Sequence, residues 1–183
     1  MVHRAQKDCV ANMAFAWRTL AGTNVCAPLD TLARVVNTSP GLSELRGGDY
    51  LGIAINEGYV VFSFNLGKET HFKEIASTVH VADGRWHHVE LRRVGRHGQL
   101  RVDQEHPVAF MSADGAVELN TDGHIHIGGC DAVPIGLPSH YYLGFEGCIR
   151  NVRLNRRTLD LQSHSLLPLT DVRYCNADEK RTL

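Results

Sequence analysis

Eleven histidines are the first residues of this 183-residue chain that invite a chemical role. Imidazole is both a zinc ligand and an acid or base near neutral pH. On a strand, His124 and His126 would project from the same face, whereas His87 and His88 would project to opposite faces. A zinc site also needs a third ligand at a set distance, and the spacing offers none. We therefore interpret the histidines as surface residues.

Two groups of arginines could form local patches for a polyanion. One group surrounds a predicted hairpin and the other lies on and after a later predicted strand: Arg92, Arg93 and Arg96, then Arg150, Arg153, Arg156 and Arg157. Guanidinium groups bind anionic oxygens through paired, charge-assisted hydrogen bonds. The alternative is an ordinary solvated charged face, which the formal net charge of −1 favours.

Carboxylates are not arranged for hydrolysis. A glycoside hydrolase needs two of them about 5–10 Å apart in a cleft, and no acidic pair two to four residues apart lies on a predicted strand. The sequence also lacks G-x-S-x-G, H-E-x-x-H and a glycine loop for phosphate. We therefore predict that the chain is not an enzyme, with a jelly-roll glycoside hydrolase as the disfavoured alternative.

Composition limits the partners further. The chain is 43 % hydrophobic and 21 % charged, which is typical of a soluble globular domain, and its net charge would not attract nucleic acid. No apolar run approaches the roughly 20 residues that a bilayer requires, so membrane insertion is not expected. The first seven residues lack the apolar block of a secretory signal. An extracellular domain would therefore be an excised piece or an alternative product of a longer secreted chain.

One hairpin is predicted by apolar residues that alternate on both sides of residues 56–58 (Asn-Glu-Gly). A three-residue connection that ends in glycine suits a turn with a bulge, because glycine accepts a positive φ there. The resulting register places Asp49 opposite Asn65, with the Asp49 carboxylate beside the Leu66 carbonyl.

The other strand predictions rest on short alternating or β-branched runs bounded by Gly, Asp and Asn. They cover residues 86–94, 99–102, 117–119, 124–127 and 149–154. Residues 14–19 could form a strand, and residues 29–36 are mildly helical. Many short strands at this spacing favour an antiparallel sandwich or a closed barrel.

Five sequence blocks carry a family resemblance. They are residues 48–51 (Gly-Asp-Tyr-Leu), 61–67 (Val-Phe-Ser-Phe-Asn-Leu-Gly), 83–87 (Asp-Gly-Arg-Trp-His), 125–129 (Ile-His-Ile-Gly-Gly) and 144–149 (Gly-Phe-Glu-Gly-Cys-Ile). In this order and spacing they resemble the laminin G-like family, whose domains occur in laminin α chains, agrin, perlecan and neurexins. The resemblance covers Gly48 to Cys175. It implies an all-β fold, an antiparallel jelly-roll β-sandwich of the concanavalin A-like type, with ligands bound at loops along one rim.

The resemblance also implies domain boundaries. It assigns residues 46–176 to the laminin G-like domain and residues 177–183 to a C-terminal tail. Residues 1–45 are an atypical N-terminal segment, which we interpret as altered first strands of the same domain. The reason is that Asn24 to Val36 stands where the family has a Gly-Leu-Leu-like run and does not match it.

Two of the five cysteines match the C-terminal disulfide of the family. These are Cys148 and Cys175, and a bridge between them would stabilise the fold by about 3 kcal/mol. The alternative is two free buried thiols. Cys9 and Cys26 could pair with each other, although their spacing does not require it, and Cys130 is interpreted as a buried free thiol.

A weak calcium site is the cofactor that the resemblance implies. Its ligands would be Asp49, the Leu66 carbonyl, the Glu118 carbonyl and the Asn120 side chain. With one clear carboxylate, the dissociation constant should be about 0.1–1 mM, as in extracellular modules. The alternative is that Asp49 and Asn120 are ordinary turn residues.

The function that follows is an extracellular matrix or adhesion module, secreted as part of a larger protein. It would recognise a dystroglycan-type glycan or a cell-surface receptor at its calcium rim. Relatives also use basic residues to bind heparan sulfate, so a calcium-independent heparan-sulfate module is the alternative. Asn37 begins an N-glycosylation sequence, although Pro40 close behind should lower its use.

Overall fold

The computed structural model describes residues 8–16, 32–38, 49–67, 71–120, 126–128, 139–141, 147–155 and 157–160. These residues form strands and one short 3₁₀ helix, Ser139–Tyr141. The strands are β1 (Asp8–Ala16), β2 (Leu32–Thr38), β3 (Asp49–Asn56), β4 (Tyr59–Leu66), β5 (Ile75–His80), β6 (Trp86–Val94), β7 (His97–Val102), β8 (Val108–Met111), β9 (His126–Gly128), β10 (Cys148–Leu154) and β11 (Arg157–Thr158). The described residues contain no helix with the length and apolar character needed to cross a bilayer.

Two antiparallel sheets make up the sandwich. One has the strand order β11-β10-β1-β6-β7-β8 and the other has the order β5-β4-β3-β2-β9. Inward-facing side chains of both sheets form one hydrophobic core, in which Ile53, Phe62 and Phe64 of one sheet meet Leu91 and Leu100 of the other. In β6 and β7, buried and exposed residues alternate strictly enough to follow the period of two that a half-buried strand requires. The predicted all-β sandwich is confirmed.

Three aromatic rings fill the core above one glycine. The rings of Phe62, Phe64 and Phe110 lie within 6 Å of one another, with centroid separations of 5.7, 5.8 and 4.6 Å. Gly98 of β7 lies beneath them, and a β-carbon there would stand 2.4 Å from Phe64 Cε1. Glycine therefore fits at position 98, where a larger residue would overlap the rings.

The first hairpin has a tighter turn than the sequence predicts. Asn56 pairs with Tyr59, so the connection is the two-residue turn Glu57-Gly58, in which both residues have positive φ (50° and 83°). This turn matches the twist of the strands, which a bulged turn would alter. The register shifts by one residue as a result, and Asp49 lies opposite Leu66 rather than Asn65.

The first strands also differ from expectation. The mildly helical segment 29–36 gives way to β2, which pairs with both β3 and β9, so long-range pairing overrides the local pattern. β1 lies between β10 and β6 inside the larger sheet. The predicted strand 117–119 is reduced to a single bridge at Leu119. The strand predicted at residues 86–94 has those bounds in the structure.

The central strands β3 and β4 of the smaller sheet are buried on both of their faces. Tyr141 of the 3₁₀ helix is fully buried against the side of this sheet that faces away from the core. A β-carbon on Gly52 would stand 2.9 Å from the Tyr141 ring. On the same side, the hydroxyl groups of Tyr50 and Ser63 are 3.0 Å apart, and the Ser63 hydroxyl donates to the Lys73 carbonyl at 2.6 Å.

Candidate functional site

Three of the four predicted calcium ligands meet at the open end of the β3–β4 hairpin. Asp49 begins β3 and pairs with Leu66, which ends β4. The backbone N–H of Asn120, 71 residues away in sequence, donates to Asp49 Oδ2 at 2.6 Å. Glu118 lies two residues before Asn120 on the same segment. We call the residues Asp49, Leu66, Glu118 and Asn120 the Asp49 rim.

The segment 117–120 is held to the sandwich by its middle. Leu119 is only 2 % exposed and belongs to the main core, whereas Glu118 is half-buried and Asn120 is exposed. Burial of one large apolar side chain contributes about 1.5–3 kcal/mol. The core therefore fixes the backbone that carries Glu118 and Asn120 at the edge of the rim.

The Asp49 carboxyl group is partly withdrawn from water. Burial raises its pKa, and hydrogen bonds from the backbone and side chain of Asn120, together with the positive charge of Arg93, lower it by less. A carboxylate in this setting gains from a further cation, because burial makes its charge costly. Carboxylate, carbonyl and amide oxygens are the ligands that Ca²⁺ prefers. The rim therefore carries the oxygen types that Ca²⁺ prefers, with one charged side chain at its centre.

The described residues are less suited to binding zinc. In the part of the chain that the structure describes, no three His, Cys, Asp or Glu side chains gather closely enough to hold a metal ion. The Asp49 rim has one carboxylate and otherwise neutral oxygens, so it lies outside that kind of cluster.

A second candidate surface is the solvent face of the larger sheet. Glu90 of β6 pairs with Arg101 of β7 on one side and with Asn12 of β1 on the other, and Asn12 in turn pairs with Arg153 of β10. Exposed basic residues on this face come from three strands. They are His88, Arg92, Arg101, Arg150 and Arg153, which we call the basic sheet face.

The basic sheet face has two local features. Arg150 stacks on Trp86, with the guanidinium carbon 3.8 Å from the ring centroid, an arrangement that holds the side chain in place. A shallow depression lies where Arg92 and Arg101 flank Gln99, and Glu90 forms an ion pair with Arg101 at its edge. Arg92 and Arg101 lie on the adjacent strands β6 and β7, whereas β1 separates them from Arg150 and Arg153 on β10.

Two of the predicted arginine ligands lie elsewhere. Arg93 is 0 % exposed, so its guanidinium does not reach the surface patch, because it points from β6 into the sandwich. Arg96 binds the Ser112 carbonyl and the Asp114 carboxylate. Arg157 is exposed on β11, and Arg156 lies outside the described residues. Arg101 was not among the predicted residues, although the alternation of β7 places it on the exposed face, opposite Glu90.

A comparison with protein families identifies the family to which the chain belongs. The family model described as "Laminin G domain" matches residues 37–157, which is more than half of the chain. The chain belongs to the laminin G domain family. The resemblance stated from five sequence blocks is therefore confirmed.

Relatives of this laminin G domain occur in matrix and adhesion proteins. It is 34 % identical over 118 residues to a basement membrane proteoglycan of Caenorhabditis elegans. The matched region covers 64 % of this chain and 3 % of that protein. It is 32 % identical over 110 residues to the mouse basement membrane-specific heparan sulfate proteoglycan core protein, covering 60 % and 3 %. Drosophila Neurexin 1 is 28 % identical over 137 residues, covering 70 % and 7 %. The domain thus spans a small part of each relative.

Solved laminin structures share the fold. Mouse laminin α1 domains LG4-5 superimpose with a TM-score of 0.67 at 17 % identity, covering 91 % of this chain and 39 % of that one. The LG1-3 region of the laminin α2 chain gives a TM-score of 0.66 at 16 % identity, covering 89 % and 30 %. At these identities the likeness concerns the laminin G fold.

A buried histidine in this laminin G domain corrects the surface interpretation of the histidines. His87 is 6 % exposed, and its ring lies between two carboxylates: Nε2 is 2.8 Å from Asp83 Oδ1 and Nδ1 is 2.8 Å from Asp103 Oδ2. Asp103 also accepts a hydrogen bond from the His88 backbone N–H at 2.8 Å. We call His87, Asp83 and Asp103 the His87 clamp, and it joins the loop before β6 to the turn after β7.

Two further predicted residues, Cys148 and Asn37, lie in the described part of the chain. Cys148, at the start of β10, is disulfide-bonded. Its predicted partner Cys175 lies outside the described residues, so that pairing stays a prediction. Asn37 lies in β2, where its backbone pairs with Leu51, and its glycosylation also stays a prediction.

Proposed function

We propose that this laminin G domain is an extracellular binding module of the matrix or the cell surface, which holds Ca²⁺ at the Asp49 rim and recognises a glycan or a receptor there. The hydrogen bond from the Asn120 N–H to the Asp49 carboxylate supports the proposal, because it brings together two residues 71 positions apart that both carry side-chain oxygens. The occurrence of its relatives in basement membrane proteoglycans and a neurexin supports the setting.

Each residue of the rim would have a separate role. Asp49 would supply the protein charge, Leu66 and Glu118 their carbonyl oxygens, and Asn120 its side-chain oxygen. A bound Ca²⁺ would offer open coordination positions to ligand oxygens, since it takes six to eight in all. Hydroxyl and carboxylate groups of a glycan, or an acidic side chain of a receptor, have the chemistry to fill them.

Substitution of Asp49 by asparagine tests the proposal. With a dissociation constant of about 0.1–1 mM, calcium at about 10 mM should raise the melting temperature of the wild-type domain by about 3–8 °C through mass action. Asp49→Asn removes the charge of the rim and should abolish the shift. Differential scanning calorimetry with and without EDTA measures both.

Asp114→Asn is the matched control for this experiment. Asp114 is an exposed carboxylate that pairs with Arg96 away from the rim, so its variant should keep the calcium shift of the wild type. An equal shift in Asp49→Asn and the wild type, or none in the wild type, would rule out calcium binding at the rim.

The basic sheet face favours a second candidate function, which is calcium-independent binding of heparan sulfate or a related sulfated glycan. Four arginines share one solvent face: two lie on the adjacent strands β6 and β7, and two lie on β10, which β1 separates from β6. An extended polyanion could lie across the strands and contact several guanidinium groups at once, each through paired hydrogen bonds.

A triple substitution, Arg92→Ala with Arg150→Ala and Arg153→Ala, tests this second function. Each exposed ion pair contributes about 0.5–1 kcal/mol, so heparin affinity should fall about 10- to 100-fold. Heparin chromatography and calorimetry in EDTA measure the effect. Lys73→Ala is the control, because Lys73 lies on the far side of the smaller sheet. Unchanged retention of the triple variant would contradict the assignment.

A further inference from the structure

Arg93 is a charged residue that is buried near the end of β6. It lies on the inward face of β6, two residues after the core residue Leu91, and is 0 % exposed. A buried guanidinium costs several kcal/mol unless hydrogen-bond acceptors and a counter-charge surround it. What surrounds Arg93 therefore indicates what the residue does.

The Arg93 guanidinium bridges two segments. Its Nη1 group donates to the Gly95 carbonyl at 2.5 Å, within the β6–β7 turn, and to the Val117 carbonyl at 3.2 Å. Val117 begins the segment 117–120. The larger sheet is therefore linked to that segment by a charged donor in a water-poor environment, where hydrogen bonds are strong.

The link continues to the smaller sheet. Three residues after Val117, the Asn120 N–H binds the Asp49 carboxylate at 2.6 Å. Arg93 is thus linked to Asp49 through the backbone of segment 117–120.

We propose that Arg93 is a positioning residue that holds segment 117–120 against Asp49 in the metal-free domain, so that the Asp49 rim is already assembled before a cation or ligand arrives. A preformed site spares a ligand the entropic cost of ordering the segment, which is about 1–2 kcal/mol for each backbone residue. The importance of this role for cation binding rests on the proposed function, whereas the role itself concerns the metal-free protein.

Amide hydrogen exchange in EDTA tests the proposal, because it reports local opening separately from global unfolding. Arg93→Met keeps the length of the side chain and removes its charge and donors. We expect the protection of the Asn120 amide to fall about tenfold or more relative to that of the Leu100 amide in β7, the loss expected for a charge-assisted hydrogen bond of about 1.5–3 kcal/mol. Arg93→Lys keeps the charge with a shorter reach, and its loss should be intermediate.

Arg92→Met is the matched control. Arg92 is the neighbouring residue on the exposed face of β6, and its variant should leave Asn120 protection unchanged. A parallel fall at Asn120 and Leu100 would mean that Arg93 supports only the global fold, and unchanged protection at Asn120 would mean that it holds nothing there. Either result overturns the proposal. If Arg93→Met does not fold, the same comparison in Arg93→Lys decides.

A calcium arm keeps the two proposals distinguishable. In Arg93→Met, calcium at about 10 mM should restore part of the Asn120 protection, because the ion would link Asn120 to Asp49 again. If the wild-type domain shows no response to calcium, the proposed function fails, and the exchange data in EDTA still decide the role of Arg93.

Discussion

Alanine at Gly98 is expected to lower the free energy of unfolding by about 2–3 kcal/mol, because its β-carbon would enter space that three aromatic rings fill. The added carbon would stand 2.4, 3.0 and 3.1 Å from ring atoms of Phe64, Phe62 and Phe110. Phe62 and Phe64 are at most 1 % exposed, so their rings cannot swing into solvent. Alanine also restricts the unfolded chain and stabilises by about 0.4–1 kcal/mol, which is too little to offset the overlap.

Urea unfolding monitored by tryptophan fluorescence measures this effect. Gly95→Asn is a suitable control, because Gly95 has a positive φ of 55°, which asparagine accepts, and the nearest atom to an added β-carbon is 4.0 Å away. That variant should lose less than about 1 kcal/mol. Wild-type stability in Gly98→Ala would show that the rings move aside freely and that the core above β7 is loosely packed.

Glutamine at His87 is expected to lower the free energy of unfolding by about 2–3 kcal/mol at about pH 5.5 and by much less at about pH 8.5. The imidazole lies 2.8 Å from a carboxylate oxygen on each side. To donate to both carboxylates it must carry two protons, and therefore a positive charge. Glutamine can reach one carboxylate as a neutral donor and leaves the other without its partner.

The direction of the pH effect follows from the pKa values. Burial lowers the pKa of His87, but hydrogen bonds to Asp83 and Asp103 raise it by more. Its stabilisation is therefore complete below the unfolded pKa of about 6.5 and is lost as pH rises through the higher folded pKa. The pKa of Asp83 is lowered, mainly by its hydrogen bond to His87. The stabilisation that Asp83 contributes is therefore complete above its unfolded pKa of 3.8 and is lost as pH falls through its lower folded pKa. The clamp stabilises most between about pH 4 and 6.5.

Urea unfolding at the two pH values compares His87→Gln with His88→Gln. His88 is exposed on the opposite side of β6, so its variant should change stability by less than about 0.5 kcal/mol at either pH. An equal loss for His87→Gln at both pH values would mean that the ring is neutral and that its contribution is packing alone.

Much of the sandwich is predictable from local sequence, and the exceptions have physical causes. β6 alternates over nine residues, so its bounds follow from the sequence. The register of the β3–β4 hairpin does not, because it depends on Glu57 adopting a positive φ, which is uncommon for glutamate. The local pattern of residues 29–36 is mildly helical and does not reveal β2. Its pairing with β3 and β9, which lie elsewhere in the sequence, makes it a strand.

The candidate sites were also predictable only in part from the sequence. Asp49 and Asn120 meet only through the tertiary fold, so family resemblance was needed to group them. The burial of Arg93 follows from the alternation of β6, where it shares a face with Val89 and Leu91, but its charge suggested a surface role. His87 was misinterpreted because histidine has no strong preference for burial or exposure, and its clamp depends on Asp103 in a distant turn.

The position of β1 has a consequence for how the domain is made. β1 pairs with β6 on one side and with β10 on the other, so that Asp8 lies beside Val94 and Ala11 beside Leu154. On a ribosome that adds about 5–20 residues per second, the 132 residues that follow β1 up to the first residue of β10 take about 7–26 s to synthesise, so β1 waits that long for its last neighbour. Sheets with such distant pairings fold slowly, and until β10 emerges the nascent chain carries an open strand edge that could capture another polypeptide. Production of the domain should therefore depend on chaperones that shield this edge.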